Sequence, residues 1–323
     1  MKDGSRKVLV AGCAGFVGSH LVDTLLEKGH EVVGVDNLVT GKAQNLTSAR
    51  KNSKFEFLEL DVSSEKFDLT HADFDLIFHL ASPASPVDYL KFPLETLKSG
   101  SLGTMNLCEL ALSTRARIIL ASTSEIYGDP LVNPQNESYW GSVNPIGPRS
   151  VYDEAKRFSE SVLMAYHRKH SLDIGIVRIF NTYGPRMAIM DGRAVPNFSL
   201  QAIQNLPISI YGDGLQTRSL CYVDDLIKGL IDFSFLTSTG PVNLGNPVEI
   251  TMKHLAELIR ELCESSSKIE YFDQVEDDPK VRCPDVSLAK EMINWNPKWD
   301  LKTGLTSTIA WYRDEITKVK EAQ

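Results

Sequence analysis

Residues 7–21 read KVLVAGCAGFVGSHL. A short apolar run with strand character, Lys7–Ala11, leads directly into Gly12, Gly15 and Gly18 and then into a helical pattern over 15–28. Glycines at such a junction serve three ends: a tight turn, close backbone approach to a pyrophosphate, and close packing of helix on strand. The helix N-terminus adds free N–H groups and the positive end of its dipole. The spacing is G-x-x-G-x-x-G rather than G-x-G-x-x-G, so taken alone a plain tight turn between strand and helix accounts for it equally well.

Asp36 tips that balance. It ends the second strand, Glu31–Asp36, about 20 residues after the glycines, where a carboxylate can accept hydrogen bonds from both ribose hydroxyls of an adenosine. A 2′-phosphate would face its negative charge, which favours NAD over NADP. The competing reading is a strand-end aspartate that caps a turn with Asn37. Asp61, after the third strand, is placed to reach the adenine amine by the same logic.

Further apolar runs at 55–60, 75–80, 117–122 and 173–180 have the length of strands buried on both faces. Helical periodicity falls between them, most clearly at 94–113 and 152–170. Strands alternating with helices predict an α/β protein, a Rossmann-like doubly wound parallel sheet. Beyond residue 180 the chain is richer in Gly, Pro and Asn, with turn signals TYGPR, YGDG and NLGNP. Helical patterns return at 223–235, 251–264, Ser287–Ile293 and 303–319. The expected division is an NAD-binding domain over 1–180 and a smaller C-terminal substrate-binding portion over 181–323, some segments of which fold back on the first.

Composition bounds the function. The chain has 323 residues, 42% hydrophobic and 24% charged, enough for a sizeable core. A net charge of −8 disfavours a sequence-independent nucleic-acid binder. No apolar run approaches a membrane span, and the start is too short for a secretory leader. Five scattered cysteines without a C-x-x-C point to free thiols in a reducing compartment and to no zinc site, hence a cytoplasmic protein. Asn45-Leu-Thr and Asn136-Glu-Ser fit a glycosylation pattern but are read as chance matches.

Tyr152 and Lys156 form Y-x-x-x-K on one face of a predicted helix. A lysine ammonium one turn away, with bound NAD⁺, favours the phenolate of a residue otherwise too weakly acidic to act as a base. The fifth strand ends in Ser122-Thr123-Ser124-Glu125, placing hydroxyls and a carboxylate at the edge where open α/β sheets bind ligands. Turn capping by Thr123 and Ser124, and solvation of Glu125, are the plainer readings. Arg282 suits a carboxylate or pyrophosphate, against a surface pairing with Glu276, Asp277 or Asp278. Arg193 and Arg218 carry the same ambiguity.

These segments together, with HLASPASP at 79–86, STSEIYGDP at 122–130, YWGSVNPIGPRSVYDEAKR at 139–157, RIFNTYGPRM at 178–187 and YGDGLQTRS at 211–219, resemble the extended short-chain dehydrogenase/reductases, and most of all the UDP-glucuronic acid decarboxylases (UDP-xylose synthases). The resemblance runs from about residue 6 to 315. It implies NAD contacts from Gly12, Gly15, Phe16, Val17, Gly18, Asp36, Asn37, Asp61, Val62, Leu80, Ser82, Tyr152 and Lys156. It implies Tyr152 as base, with Lys156, Thr123, Ser124, Glu125 and Arg282 as its companions. Lys98 and Asn106 would face the sugar nucleotide, while Asn181, Arg193, Asn197, Tyr211, Gln216, Arg218 and Arg282 would hold UDP or the sugar acid. Three positions depart from the family's commoner residues: Ala11 for Thr, Gly100 for Asn, and Ala155 for the Gly of YDEGK.

The reaction so implied is NAD-dependent decarboxylation of UDP-glucuronate to UDP-xylose and CO₂. Tyr152 takes the C4 hydroxyl proton as C4 is oxidised, the β-keto acid loses CO₂, Glu125 or a water it orients protonates C5, and the same NADH reduces C4 again. The alternatives are sister enzymes on the same pocket. A 4,6-dehydratase needs an acid where Ser124 stands, and a 4-epimerase has no use for Glu125. An oxidative decarboxylase would release the 4-keto-pentose. From another class, a non-catalytic NAD-binding regulator would have kept the fold without the chemistry. His167 and His170 read as solvated, His79 as a satisfied core residue and Cys221 as no nucleophile. Apolar residues on the helices at 94–113 and 152–170 predict a homodimer.

Overall fold

β1 (Lys7–Ala11), β2 (Glu31–Asp36), β3 (Phe55–Glu59), β4 (Leu76–His79), β5 (Arg117–Thr123) and β6 (Ile174–Ile179) pair in parallel. The computed structural model describes residues 4–69, 72–273 and 281–321. Alternate residues of each strand enter opposite cores. Val8 and Val10 pack with Leu21, Val22 and Leu25 of α1 (Phe16–Glu27) on one face. Leu9, Ala11, Ile118 and Leu120 pack with the helices on the other. Burial on both faces explains why these strands read as continuous apolar runs, each large side chain contributing about 1.5–3 kcal/mol.

The helical pattern at 94–113 is broken in the structure. After the short α2 (Pro86–Lys91), α3 (Pro93–Lys98) runs into a π-turn, Ser99–Gly103, before α4 (Thr104–Thr114) resumes. Short polar side chains compete for the carbonyls there. Ser101 Oγ donates to Leu97 O at 2.7 Å and Thr104 Oγ1 to Gly100 O at 2.9 Å. α5 (Ser150–His170) packs against both α3 and this turn.

Beyond β6 the chain forms β7 (Thr182–Tyr183), α6 (Ala194–Ile203), β8 (Ile208–Tyr211), β9 (Thr217–Ser219), β10 (Cys221–Tyr222) and α7 (Val223–Ser234). Then follow β11 (Val242–Leu244), β12 (Glu249–Thr251), α8 (Met252–Leu262), β13 (Ile269–Phe272), α9 (Ser287–Ile293) and α10 (Leu301–Glu321). β11 pairs in parallel with β6 and completes a seven-stranded sheet in the order β3-β2-β1-β4-β5-β6-β11. α7 lies against α1 and β6. The pairs β10–β7, β12–β9 and β13–β8 form three further two-stranded sheets. α6 is absent from the sequence expectations because Pro196 and Asn197 interrupt its pattern. Pro196 sits in the first turn, where its missing N–H costs nothing.

Candidate active site

Two cavities, of about 450 and 550 Å³, share Gly12, Gly15, Leu80 and Ser82 and form one trough over the carboxyl edge of the sheet. Gly12 adopts φ +83°, and a Cβ there would meet the Ala81 nitrogen at 2.7 Å. A Cβ on Gly18 would collide with the Gly12 carbonyl, so this glycine serves helix–strand packing. Gly15 caps α1 with no side-chain hydrogen bond, leaving the helix N-terminus open to both cavities. Phe16, Val17 and Gly18 line the smaller cavity; Asp36, Asn37, Asp61 and Val62 line the larger.

Asp36 combines both of its readings. Its Oδ1 accepts from Leu38 N and its Oδ2 from Ala14 N, each at 2.9 Å. Gly41 packs so closely that a Cβ would lie 2.6 Å from Oδ1. Burial raises its carboxyl, and the two N–H groups oppose that. The turn cap uses one lone pair per oxygen and leaves the others for a ligand.

Lys98 and Asn106, expected to face a sugar nucleotide, do not line the smaller cavity. Lys98 lines the larger cavity beside Asp61. Asn106 donates to Val62 O at 2.8 Å and Ser64 O at 3.1 Å, tying α4 to the loop after β3. With both amide hydrogens spent on carbonyls, it serves the loop rather than a ligand.

The smaller cavity holds the chemical groups. Tyr152 is buried, hydrogen-bonded to the Thr123 hydroxyl and stacked on Tyr89 with ring centroids 5.3 Å apart. Burial pushes the Tyr152 phenol up; the Thr123 hydrogen bond opposes it. Lys156 Nζ donates to Ala121 O at 2.8 Å, and burial lowers its ammonium to about 8. Thr123 Oγ1 also accepts from Glu125 N at 3.2 Å, so the hydroxyl caps its turn and touches the tyrosine. Ser124 and Glu125 line the same wall.

Glu125 is clamped between two arginines. Arg149 Nη2 reaches Oε2 at 2.9 Å and Arg282 Nη1 bonds Oε1. Burial would raise this carboxyl, but Arg282 and Arg149 overrule it and hold it at about 2. Arg282 is buried, not a surface residue. Glu276, Asp277 and Asp278, the acids near it in sequence, lie outside the described residues. Arg149 is a site residue that sequence reasoning passed over, although it stands one helical turn before Tyr152. Tyr89 was missed too; its stacking on Tyr152 exists only in three dimensions.

Asn181, Arg193, Asn197, Tyr211, Gln216 and Arg218 line the same cavity, and the Arg193 guanidinium is near enough to Tyr152 to oppose the rise of its phenol. Arg193 is paired with Asp191, and Asn197 Nδ2 donates to Gly192 O at 3.1 Å. Gln216 Nε2 donates to Tyr211 O at 2.5 Å, leaving Oε1 buried without a partner. Cys221 is buried, and burial raises its thiol. His79 is buried with Nε2 at 3.0 Å from Thr104 Oγ1, and Nδ1 has no partner. His170 is exposed and His167 Nδ1 meets Leu172 O at 2.8 Å. No metal-binding cluster occurs among the described residues.

The sequence profile of the NAD dependent epimerase/dehydratase family matches residues 8–234. The chain belongs to this family. Within it, UDP-glucuronic acid decarboxylase 1 of Arabidopsis thaliana is 48% identical over 98% of this chain and 72% of its own length. UDP-glucuronic acid decarboxylase 1 of Danio rerio is 46% identical over 96% and 73%. Among solved structures, the UDP-glucuronic acid 4-epimerase of Bacillus cereus, in complex with UDP-glucuronic acid and NAD, superposes with a TM-score of 0.86 at 27% identity, covering 96% of this chain and 99% of that one. The resemblance to the decarboxylases and the Rossmann-like fold are therefore borne out.

The NAD of this epimerase/dehydratase family fits the residues present. The Gly12 turn leaves no room for a side chain, the α1 N-terminus is free to receive a pyrophosphate, and a buried carboxylate stands at the adenosine end. Gly12, Gly15, Asp36 and Asp61 would hold the adenosine half; Tyr152 and Lys156 would face the nicotinamide half.

Proposed function

We propose that this protein is a UDP-glucuronate decarboxylase, an NAD-dependent carboxy-lyase that converts UDP-glucuronate to UDP-xylose and CO₂. The observation that carries the reading is a buried arginine, Arg282, held by Glu125 on the same cavity wall as the Tyr152–Lys156 pair. A sugar carboxylate and the C4 hydroxyl of the same ring can be addressed from that wall together. The decarboxylases among its relatives support it.

Bound NAD supplies the acceptor for the C4 hydride and its later return, so the cycle has no net redox change. Tyr152, oriented by Thr123, takes the C4 hydroxyl proton. The resulting ketone lies β to the carboxylate, so the C5–carboxylate bond breaks with its electron pair delocalising onto the C4 oxygen. Tyr152 and the neighbouring hydroxyls donate hydrogen bonds to that oxygen. Arg282 orients the departing carboxylate. An ionised Glu125 has no proton to give, so C5 receives its proton from a water that Glu125 positions. Arg193, Asn197, Tyr211, Gln216 and Arg218 would hold the uridine diphosphate, which gives residues 181–323 the nucleotide sugar and residues 1–180 the NAD.

Incubation with UDP-glucuronate and NAD⁺ should yield UDP-xylose by mass with no lasting rise at the reduced-nicotinamide band. UDP-galacturonate as product would make it an epimerase, and UDP-4-keto-pentose with stoichiometric reduced cofactor an oxidative decarboxylase. We also propose a homodimer through the α3, α4 and α5 faces, where Leu94, Leu97, Leu102, Met105 and Phe158 are exposed. Light scattering should give twice the 35.9 kDa chain mass; a concentration-independent monomer would refute it. The five free thiols support a cytoplasmic location. No helix among the described residues is long and apolar enough to cross a membrane.

A further inference from the structure

Tyr152, Ala155, Lys156 and Ser159 recur on one buried face of α5, and that face meets the π-turn Ser99–Gly103. The contact is made at Gly100. A Cβ there would lie 2.7 Å from the Ala155 carbonyl oxygen and 2.8 Å from its methyl. The Gly100 carbonyl in turn accepts from Ser159 Oγ at 2.8 Å and from Thr104 Oγ1 at 2.9 Å. Ser159 Oγ also lies 3.1 Å from Thr104 Oγ1, so α4 and α5 are tied at the level of Lys156. Gly100 and Ala155 are thus in direct contact across the two helices.

We propose that Gly100 and Ala155 are a matched pair, tied by Ser159, that positions Tyr152 and Lys156 against the sheet edge. The separation of packed helices follows the side chains at their contact. Any side chain at 100 must push α5 outward by several tenths of an ångström or more. That movement strains the hydrogen bond from Lys156 to Ala121 O and the contact of the Thr123 hydroxyl with the Tyr152 oxygen. Displacement of reacting groups by about 1 Å can cost 10²-fold in rate. The role rests on Tyr152 and Lys156 being the catalytic pair.

The test is Gly100→Asn, Ala155→Gly and their combination, in the full chain with NAD bound and well below each melting temperature. Gly100→Asn is expected to lower kcat by about 10- to 100-fold with KM for UDP-glucuronate unchanged, and to speed amide hydrogen exchange in 152–159. Ala155→Gly alone should stay within about threefold of the parent. The double variant should recover part of the kcat lost by Gly100→Asn, since removing the methyl leaves only the approach to the carbonyl. Gly100→Asn with kcat within twofold of the parent, or a double variant no better than Gly100→Asn, overturns the proposal. Should Gly100→Asn fail to fold, Ser159→Ala removes the tie without adding bulk. It should lower kcat severalfold and shift the acid limb of the pH profile at an unchanged melting temperature; an unaltered kcat and profile would refute the role. Failure of the catalytic reading itself shows separately, as full turnover by Tyr152→Phe.

Discussion

Tyr152→Phe is expected to lower kcat by about 10²–10⁴-fold, the range for removal of a positioned acid–base group, while NAD content and melting temperature stay near the parent values. The substitution deletes one oxygen from a ring packed on Tyr89. The Thr123 hydroxyl loses a partner but keeps the Glu125 amide, so no buried polar atom is stranded. Chemistry suffers far more than packing. Burial raises the tyrosine phenol, and the neighbouring lysine, lowered to about 8, is still mostly an ammonium at neutral pH. That positive charge favours the phenolate, and phenylalanine has none to favour. KM for UDP-glucuronate should change little, because the diphosphate-side residues are untouched. Rapid-mix kinetics with the purified variant would check both parameters; kcat within threefold of the parent would remove Tyr152 from the role of base.

The parts of this molecule that were legible in the sequence are those in which one local pattern has one physical solution. A strand buried on both faces must be apolar throughout, so the strand expected at Lys7–Ala11 matches the structure residue for residue. The helix pattern at 94–113 misled because periodicity reports which face is apolar, not whether the hydrogen-bond ladder is continuous. The hydroxyls of Ser101 and Thr104 and the two glycines bend it into a π-turn. Asn106 looks like a polar helix residue free to meet a ligand until the loop after β3 comes to rest on its amide. Arg282 and Glu125 are 157 residues apart in the chain, and no local reasoning brings them together. Arg149 was within reach, since its spacing of three from Tyr152 places it on the same side of α5.

The Glu125 clamp carries the second large effect. Glu125→Gln should reduce turnover to UDP-xylose by about 10²-fold or more, an effect of the order seen when a preorganised electrostatic group is removed, without raising KM. The glutamine leaves Arg149 and Arg282 as two uncompensated positive charges beside the bound sugar acid. They stabilise its carboxylate, and decarboxylation has to disperse that negative charge into the ring, so tighter ground-state binding raises the barrier. Oxidation at C4 does not involve the carboxylate, so absorbance at the reduced-nicotinamide band should build up in the variant where the parent shows none. Stability offers an independent readout with a definite sign. The two arginines hold Glu125 at about 2 against an ordinary 4.5, equivalent to about 3 kcal/mol of native-state stabilisation. Because the folded value is the lower one, that contribution is fully present above about pH 5 and is lost as pH falls through about 2. A glutamine does not titrate. The melting-temperature gap between parent and variant should therefore be widest near neutrality and close steadily on acidification; a gap independent of pH between 6 and 3 would mean that Glu125 does not hold its charge between the two arginines.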